Sequence, residues 1–201
     1  MQNFLFFAVH INIMIGKLII ITAPSGAGKT SITHYLLKKF PKLSFSISAA
    51  TRQARNNEKN GIDYYFMSIE EFRHKIKEDL FAEWEMVYEG KYYGTLRSEL
   101  QRIWNEGKVP LLDIDVHGAV HVQQQYQHNS LSLFIEPPSV DELKNRLESR
   151  GTETPETIAI RLNKAKYELT FKQHFNRSVV NDDLQKACIE TENIVKEFLA
   201  S

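Results

Sequence analysis

The segment from Ala23 to Thr30 reads APSGAGKT and carries the clearest chemistry in the chain. It follows a short β-branched run and precedes a helical stretch, so it joins a predicted strand to a predicted helix. A glycine-rich turn in that place exposes successive backbone N–H groups at a helix N-terminus, and such donors bind phosphate oxygens. Lys29 can reach the β- and γ-phosphates of a nucleotide, and the Thr30 hydroxyl can ligate Mg²⁺. Ala23 replaces the first glycine of the full GxxxxGK[ST] pattern. The alternative interpretation is a glycine-rich turn that only caps a helix.

A second group of polar residues stands at the end of an apolar run. Residues 111–115 read LLDID, so Asp113 and Asp115 follow a segment typical of a buried strand. Residues two apart in a strand point to the same side, and ligands of parallel sheets bind at the carboxyl ends of strands. Asp113 is therefore predicted to hold Mg²⁺ through water. The spacing alone also fits an acidic strand end without a function.

Short apolar runs alternate with helical stretches along most of the chain. The predicted strands are 17–22, 43–48, 109–114, 131–135 and 178–181, and the predicted helices are 30–40, 118–125, one that begins after 139, 154–171 and 183–199. This alternation predicts an α/β fold, a P-loop NTPase-type parallel sheet flanked by helices. Residues 49–95 interrupt the alternation with strand-like pieces around one helix over 68–78. They are predicted to form an inserted mixed α+β subdomain that binds the acceptor.

Composition limits the classes of function. The 201 residues contain 25 basic and 25 acidic side chains, and a net charge of zero argues against bulk attraction to nucleic acid or to an anionic membrane. Cys188 is the only cysteine, so no intrachain disulfide can form. His117 and His121 are four residues apart without an evident third ligand, so a metal site there is not expected.

The N-terminal segment needs a separate interpretation. Residues 4–9 are apolar, but a membrane span needs ~20 such residues, and the segment lacks the basic region and cleavage site of a signal peptide. Met14 lies just before the first predicted strand and could be the true start. We expect residues 1–15 to be a dispensable extension, residues 16–201 to form the folded domain, and the protein to be cytoplasmic.

Nine ordered motifs from about Gly16 to the C-terminus resemble the guanylate kinase family. The motifs are APSGAGKT at 23–30, Ser48-x-x-Thr51-Arg52-x-x-Arg55, Asn60-Gly61-x-Asp63-Tyr64, Glu83-Trp84, Tyr92-Tyr93-Gly94-Thr95, Asp113-Ile114-Asp115, Pro137-Pro138-Ser139, Arg150-Gly151-Thr152-Glu153 and Val180-Asn181-Asp182-Asp183. Ala49 and Ala50 depart from the family pattern, since hydroxyl residues are common there. The resemblance implies a core of 16–48 and 96–201, a GMP-binding subdomain of 49–95 and a short lid of about 138–172.

The resemblance also implies the residues that bind the acceptor. Arg52, Arg55, Tyr64 and Tyr93 resemble the side chains that bind the 5′-phosphate of GMP, because guanidinium groups bind a dianion in bidentate fashion and phenols add neutral donors. Without the motif, two arginines in a polar loop are usually solvated surface residues.

Glu83 resembles the residue that recognises guanine, and its helpers in the GMP site are Ser48, Thr95 and Asp115. Guanine presents N1–H and the N2 amine side by side, a pair of donors that matches one carboxylate. Adenine presents an acceptor at N1, so a carboxylate disfavours it. Without the motif, Glu83 could equally be an exposed strand residue.

On the ATP side, the resemblance implies binding by the phosphate loop, by the lid and by a residue of the last strand. These residues are Ser25, Gly26, Ala27, Gly28, Lys29, Thr30, Arg150 and Asn181, with Asn181 near the adenine or ribose. The implied catalytic residues are Lys29, Arg52, Arg150 and Arg161, since fixed cations stabilise the charge of a migrating phosphoryl group. Arg146 could compete for the role of Arg150. The implied metal is Mg²⁺, held by Thr30 and, through water, by Asp113.

The expected function is therefore transfer of the γ-phosphoryl group of ATP to GMP or dGMP, with no nucleic acid or membrane as partner. Two alternatives remain open. Another small-molecule kinase on the same scaffold, such as a ribose-bisphosphate phosphokinase, would lack a use for Glu83 and the paired tyrosines. A catalytically inactive module that binds a protein or phosphopeptide would tend to lose Lys29 and the lid arginines, which are present here.

Overall fold

The computed structural model describes residues 16–149, 151 and 154–201. The predicted extension of residues 1–15 and the predicted lid residue Arg150 lie outside the described residues. The strands are β1 Leu18–Thr22, β2 Leu43–Phe45, β3 Ala49–Ala50, β4 Tyr65–Phe66, β5 Phe81–Tyr88, β6 Lys91–Leu96, β7 Val109–Asp113, β8 Ser130–Glu136 and β9 Arg177–Val180. The helices are α1 Lys29–Lys39, α2 Ile69–Lys77, α3 Arg97–Asn105, α4 Val116–Gln125, α5 Val140–Ser149, α6 Pro155–Leu169 and α7 Leu184–Ala200.

The first sheet is parallel and has the strand order β2-β7-β1-β8-β9. Every residue of β1 is buried, because helices cover both faces of the strand. Ile19 and Ile21 pack with α1 and α7 on one face, while Leu18 and Ile20 pack with α3 and α4 on the other. The carboxyl ends of β1 and β7 therefore meet at one edge, which places the phosphate loop beside Asp113.

The second sheet has the order β4-β3-β6-β5 and mixes a parallel pair, β3 with β4, with antiparallel pairs. Helix α2 covers it through Phe72, which stacks on Phe81 with ring centroids 4.3 Å apart. Ser68 caps α2 by accepting a hydrogen bond from the N–H of Glu71 at 3.1 Å, as its spacing predicts. The predicted parallel sheet flanked by helices and the mixed second sheet are confirmed.

Helices α5 and α6 form a small hairpin with its own apolar contacts. Leu143 and Leu147 of α5 pack against Ile158 and Ala165 of α6. Thr154 precedes Pro155 and accepts a hydrogen bond from the N–H of Thr157 at 3.4 Å, which is the predicted start of α6.

Two elements differ from the sequence-based prediction. The strand predicted over 43–48 ends at Phe45, because the chain then leaves the first sheet and enters the second at Ala49. Helix α3 was not predicted, and it buries Leu100, Ile103 and Trp104 under the sheet. Within the described part of the chain, no helix is long and apolar enough to cross a membrane.

Candidate active site

A cavity with a volume of about 590 Å³ lies between the two sheets and α6. We call it the main cavity. The first sheet and α1 contribute residues of the phosphate loop together with Asp113 and Asp115. The second sheet contributes Glu83 and Tyr93, and the segments that lead into it contribute Ser48 and Tyr64. Residues predicted from distant parts of the sequence thus line one space.

The phosphate loop has the backbone that its glycines allow. Gly26 and Gly28 adopt φ angles of 99° and 96°, a region that residues with a Cβ rarely enter. A Cβ on Gly28 would lie 2.1 Å from Nδ2 of Asn181. Asn181 is buried, and its Nδ2 donates to the carbonyl of Ala27 at 2.7 Å. In this structure Asn181 therefore holds the backbone of the phosphate loop, and its predicted place near adenine or ribose stays a prediction.

Lys29, the first residue of α1, makes an ion pair with Asp113 and lies 3.5 Å from the carbonyl of Ile114. Both charged side chains line the main cavity. The side chains of Lys29 and Asp113 are 23% and 21% exposed. A triphosphate can therefore replace the carboxylate as the partner of Lys29, while Asp113 keeps contact with solvent.

Asp115 follows the end of β7 and caps α4 rather than extending the strand. Its Oδ1 accepts hydrogen bonds from the N–H groups of His117 at 2.8 Å and Gly118 at 3.2 Å. The carboxylate still lines the main cavity, so it remains available to a ligand on its other side.

Glu83 is a carboxylate buried between β5 and α4, with only 5% of the residue exposed. Its Oε1 accepts a hydrogen bond from Oγ1 of Thr95 at 2.6 Å. Burial raises the pKa of Glu83 to about 7, and the negative charge of Asp115 adds to this effect while Thr95 opposes it. Among the residues that the structure describes, no salt bridge to the Glu83 carboxyl offsets its desolvation at the cavity wall.

Arg52 is paired with Glu58 in a bidentate arrangement, with oxygens 2.5 and 2.7 Å from its two terminal nitrogens. Its guanidinium also stacks on Tyr64 at 4.7 Å from the ring centroid. The hydrogen bonds from Arg52 and from the N–H of Arg55 lower the pKa of Glu58 to about 2, so Glu58 stays ionised. The Arg55 side chain is exposed and is not among the residues that line the main cavity.

The face of α6 that meets the main cavity carries three charged residues at helical spacing: Arg161, Lys164 and Glu168. Nη1 of Arg161 donates to the Ser25 hydroxyl of the phosphate loop at 2.7 Å. Burial raises the pKa of Glu168, while the nearby charges of Lys164 and Lys29 lower it. The sequence-based prediction included Arg161 but not Lys164 and Glu168, although spacings of three and then four residues place all three on one face of a helix.

Arg146 lies on α5 and donates to the carbonyls of Asn181 at 2.9 Å and Asp182 at 3.4 Å. It also bonds Oε1 of Glu142, one turn earlier in the helix, at 3.0 Å. These contacts tie α5 to the segment after β9. In this structure Arg146 links the helical hairpin to the sheet.

The raised pKa of Glu83 predicts a specific pH dependence of stability. Between about pH 4.5 and pH 7 the folded protein binds a proton that the unfolded chain releases, so rising pH destabilises the fold across that window. Glu83→Gln abolishes this titration. The free energy of unfolding of the variant relative to the native protein should therefore increase by about 3 kcal/mol from pH 4.5 to pH 8.

Urea denaturation of both proteins across this pH range measures the difference, and all other titrating groups are common to the two. A difference that stays constant with pH would show that Glu83 is ionised normally in the folded protein.

Comparison with known proteins gives a consistent family assignment. The guanylate kinase family model matches residues 15–198. The guanylate kinase of Bacteroides thetaiotaomicron is 46% identical over 193 residues, which cover 96% of this chain and 95% of that protein. The guanylate kinase of Salinibacter ruber is 47% identical over 92% of this chain and 98% of its own. A crystal structure of guanylate kinase from Anaplasma phagocytophilum superimposes with a TM-score of 0.71 at 28% identity, covering 91% of this chain and 86% of that one. With residues 15–198 matched by the family model, this chain belongs to the guanylate kinase family.

Proposed function

We propose that this protein transfers the γ-phosphoryl group of ATP to GMP or dGMP and releases ADP with GDP or dGDP, a step of guanine nucleotide metabolism. One observation carries the proposal: a buried carboxylate, Glu83, lines the same cavity as a phosphate-binding loop. The loop supplies donors for one nucleotide, and the carboxylate supplies an acceptor pair for the base of another. The chemistry is that of a cytoplasmic enzyme of nucleotide metabolism, and we propose that location.

The surroundings of Glu83 favour guanine over adenine. Its two oxygens can accept the N1–H and N2 amine donors of guanine, and these bonds would stabilise the carboxylate that burial destabilises. Thr95 holds one of these oxygens at 2.6 Å. Ser48 and Asp115 line the same cavity and are proposed to complete the contacts to the base.

We propose that Arg52, Arg55, Tyr64 and Tyr93 bind the acceptor phosphate. Arg52 forms a bidentate pair with the Glu58 carboxylate, and a guanidinium can make the same paired contacts to two oxygens of a phosphate. A phosphate dianion would compete with Glu58 for the same donors. Arg55 would have to turn inward, since its side chain is exposed in this structure.

On the donor side, the backbone of residues 25–30 and the Lys29 ammonium would bind the ATP phosphates. Lys29 would then exchange its partner Asp113 for phosphate oxygens. Arg161, which touches Ser25 at 2.7 Å, is proposed to stabilise the charge of the migrating group together with Arg150. The proposed lid of about 138–172 and the proposed GMP subdomain of 49–95 would close on the core of 16–48 and 96–201, because an open site would let water accept the phosphoryl group.

The donor atoms present fit Mg²⁺ as the cofactor. The Thr30 hydroxyl and the Asp113 carboxylate are oxygen ligands on one cavity, which suits this hard cation. Among the described residues, no group of three or more His, Cys, Asp or Glu side chains could hold an ion by itself. The remaining ligands would come from nucleotide phosphates and water, and the bound ion would neutralise phosphate charge.

A panel of acceptors tests the proposed reaction. With ATP and magnesium, release of ADP should be rapid with GMP and dGMP and slower by about 10⁴-fold with AMP, UMP and CMP, because the fixed acceptor pair of Glu83 rejects the other bases. Preference for ribose bisphosphate would instead favour the other small-molecule kinase. Absence of turnover with every acceptor in a well-folded preparation would favour an inactive binding module.

Lys29→Ala tests the donor side of the site. Loss of the ammonium should reduce turnover by ~10²-fold or more, since the charge of the transferred group would lose a fixed cation. Affinity for GMP should change little. Lys38→Ala, an exposed lysine on the same helix, serves as the control and should leave both quantities unchanged. Near-normal turnover of Lys29→Ala would contradict the assignment.

Gly118→Ala tests the carboxylate without touching its charge. A Cβ on Gly118 would lie 2.6 Å from Oε2 of Glu83, so the flexible end of Glu83 must move away from its place at the cavity wall. Alanine is also favoured over glycine inside a helix by ~1 kcal/mol, which should preserve stability. The KM for GMP should rise about tenfold or more, while the KM for ATP and the unfolding midpoint stay near native values.

Gln124→Ala, an exposed substitution on the same helix, is the matched control. An unchanged KM for GMP in Gly118→Ala would show that the observed position of Glu83 is not the one used in binding.

A further inference from the structure

Glu99 is a second buried carboxylate, and neither the proposed reaction nor the family motifs use it. It lies in the first turn of α3, just after the second sheet, and only 2% of the residue is exposed. It is not among the residues that line the main cavity. A buried charge away from the ligands requires a structural or a positioning explanation.

The hydrogen bonds of Glu99 join three separate segments. Its Oε1 accepts from the N–H of Ile47 at 3.0 Å, and its Oε2 accepts from the phenol of Tyr65 at 2.8 Å. Arg102, one turn later on α3, donates to both oxygens at 2.8 and 2.9 Å. Burial raises the pKa of Glu99, but the bonds from Arg102, Ile47 and Tyr65 outweigh it and leave the pKa lowered. The carboxylate is therefore ionised and fully engaged.

Two of these partners are the immediate neighbours of residues proposed to bind GMP. Ile47 precedes Ser48, and Tyr65 follows Tyr64; both Ser48 and Tyr64 line the main cavity. The two segments are also joined directly, because the N–H of Tyr65 donates to the carbonyl of Ser48 at 2.9 Å. Since successive side chains of an extended segment point to opposite sides, holding Tyr65 toward Glu99 directs Tyr64 toward the cavity.

We infer that Glu99 is a positioning residue for the acceptor nucleotide: from α3 it holds the two segments that present Ser48 and Tyr64 to GMP. This inference rests on the proposed function. Glu99 touches no substrate and acts only through its neighbours. Its loss should therefore weaken GMP binding and leave the ATP side of the site intact.

Steady-state kinetics of three variants test the inference. Glu99→Ala should raise the KM for GMP about tenfold, which corresponds to about 1.4 kcal/mol. Glu99→Gln keeps one acceptor oxygen for Ile47 and should restore part of the loss. Tyr65→Phe removes only the phenol donor and should raise the KM for GMP by about threefold, near the lower end of the net effect of a typical hydrogen bond. In all three, kcat and the KM for ATP should stay within about twofold of native values.

Tyr35→Phe is the control, because it removes a tyrosine–glutamate bond, to Glu192, between α1 and α7. If Glu99→Ala does not fold, Tyr65→Phe and Glu99→Gln still decide the question. A purely structural role predicts lower unfolding midpoints with an unchanged KM for GMP, and that result would overturn the inference. Equal effects on both KM values or on kcat would overturn it as well. If the native protein does not phosphorylate GMP, the proposed function fails first and this inference fails with it.

Discussion

In the proposed function, the acceptor half of the site depends on the desolvation of one carboxylate, Glu83. Within the described part of the chain it receives a hydrogen bond from Thr95 and lies near the charge of Asp115, and no salt bridge stabilises it, so burial disfavours the ionised form in the empty site. A base with two adjacent hydrogen-bond donors would stabilise the buried carboxylate. A base with an acceptor at the same place would add a second unfavourable contact. Selectivity for guanine would then follow from the burial of Glu83. It would need no specific contact to the ribose or the phosphate.

The fold places this carboxylate on the same cavity as the phosphate loop. Glu83 belongs to β5 of the second sheet, whereas the loop follows β1 of the first. Helix α4 connects the two, since its glycine at position 118 lies against Glu83 and its first N–H groups bind Asp115. The α5–α6 hairpin reaches the loop from the other side, where Leu143 would lie 2.8 Å from a Cβ on Gly26. Close approach therefore favours glycine at positions 26 and 118, and at position 26 the φ angle of 99° favours it as well.

The parts of the site that the sequence predicts are those set by local chemistry. The phosphate loop, the strand that ends in Asp113 and the capped starts of α2 and α6 depend on residues a few positions apart, and all were predicted. The capping of α4 by Asp115 and the length of β2 depend on where the chain turns toward the second sheet, which periodicity does not encode. Helix α3 was missed for a related reason: its four buried positions include the charged Glu99, whose partners Ile47 and Tyr65 are distant in sequence.

The pairing of Arg52 with Glu58 shows that sequence resemblance does not predict the contacts of a site residue. Family resemblance identified the arginine, but a carboxylate six residues away occupies it in this structure. Likewise, resemblance predicted Asn181 near the donor nucleotide, and the structure adds that its side chain bonds the backbone of Ala27 in the phosphate loop. Resemblance assigns residues to a site, whereas the contacts of the folded chain determine which of them touch the ligand and which support the residues that do.

Proton release on GMP binding tests the central claim most directly. With a pKa of about 7, roughly half of the Glu83 carboxyls in the empty protein carry a proton at pH 7, and guanine can bind only the ionised form. Calorimetric titration with GMP at pH 7, in buffers of different ionisation enthalpy, should detect release of about half a proton. The acceptor phosphate, with a pKa near 6, contributes only about a tenth. Release of no more than this tenth, or uptake of a proton, would contradict the account, because it would mean that the carboxylate is already charged in the empty cavity.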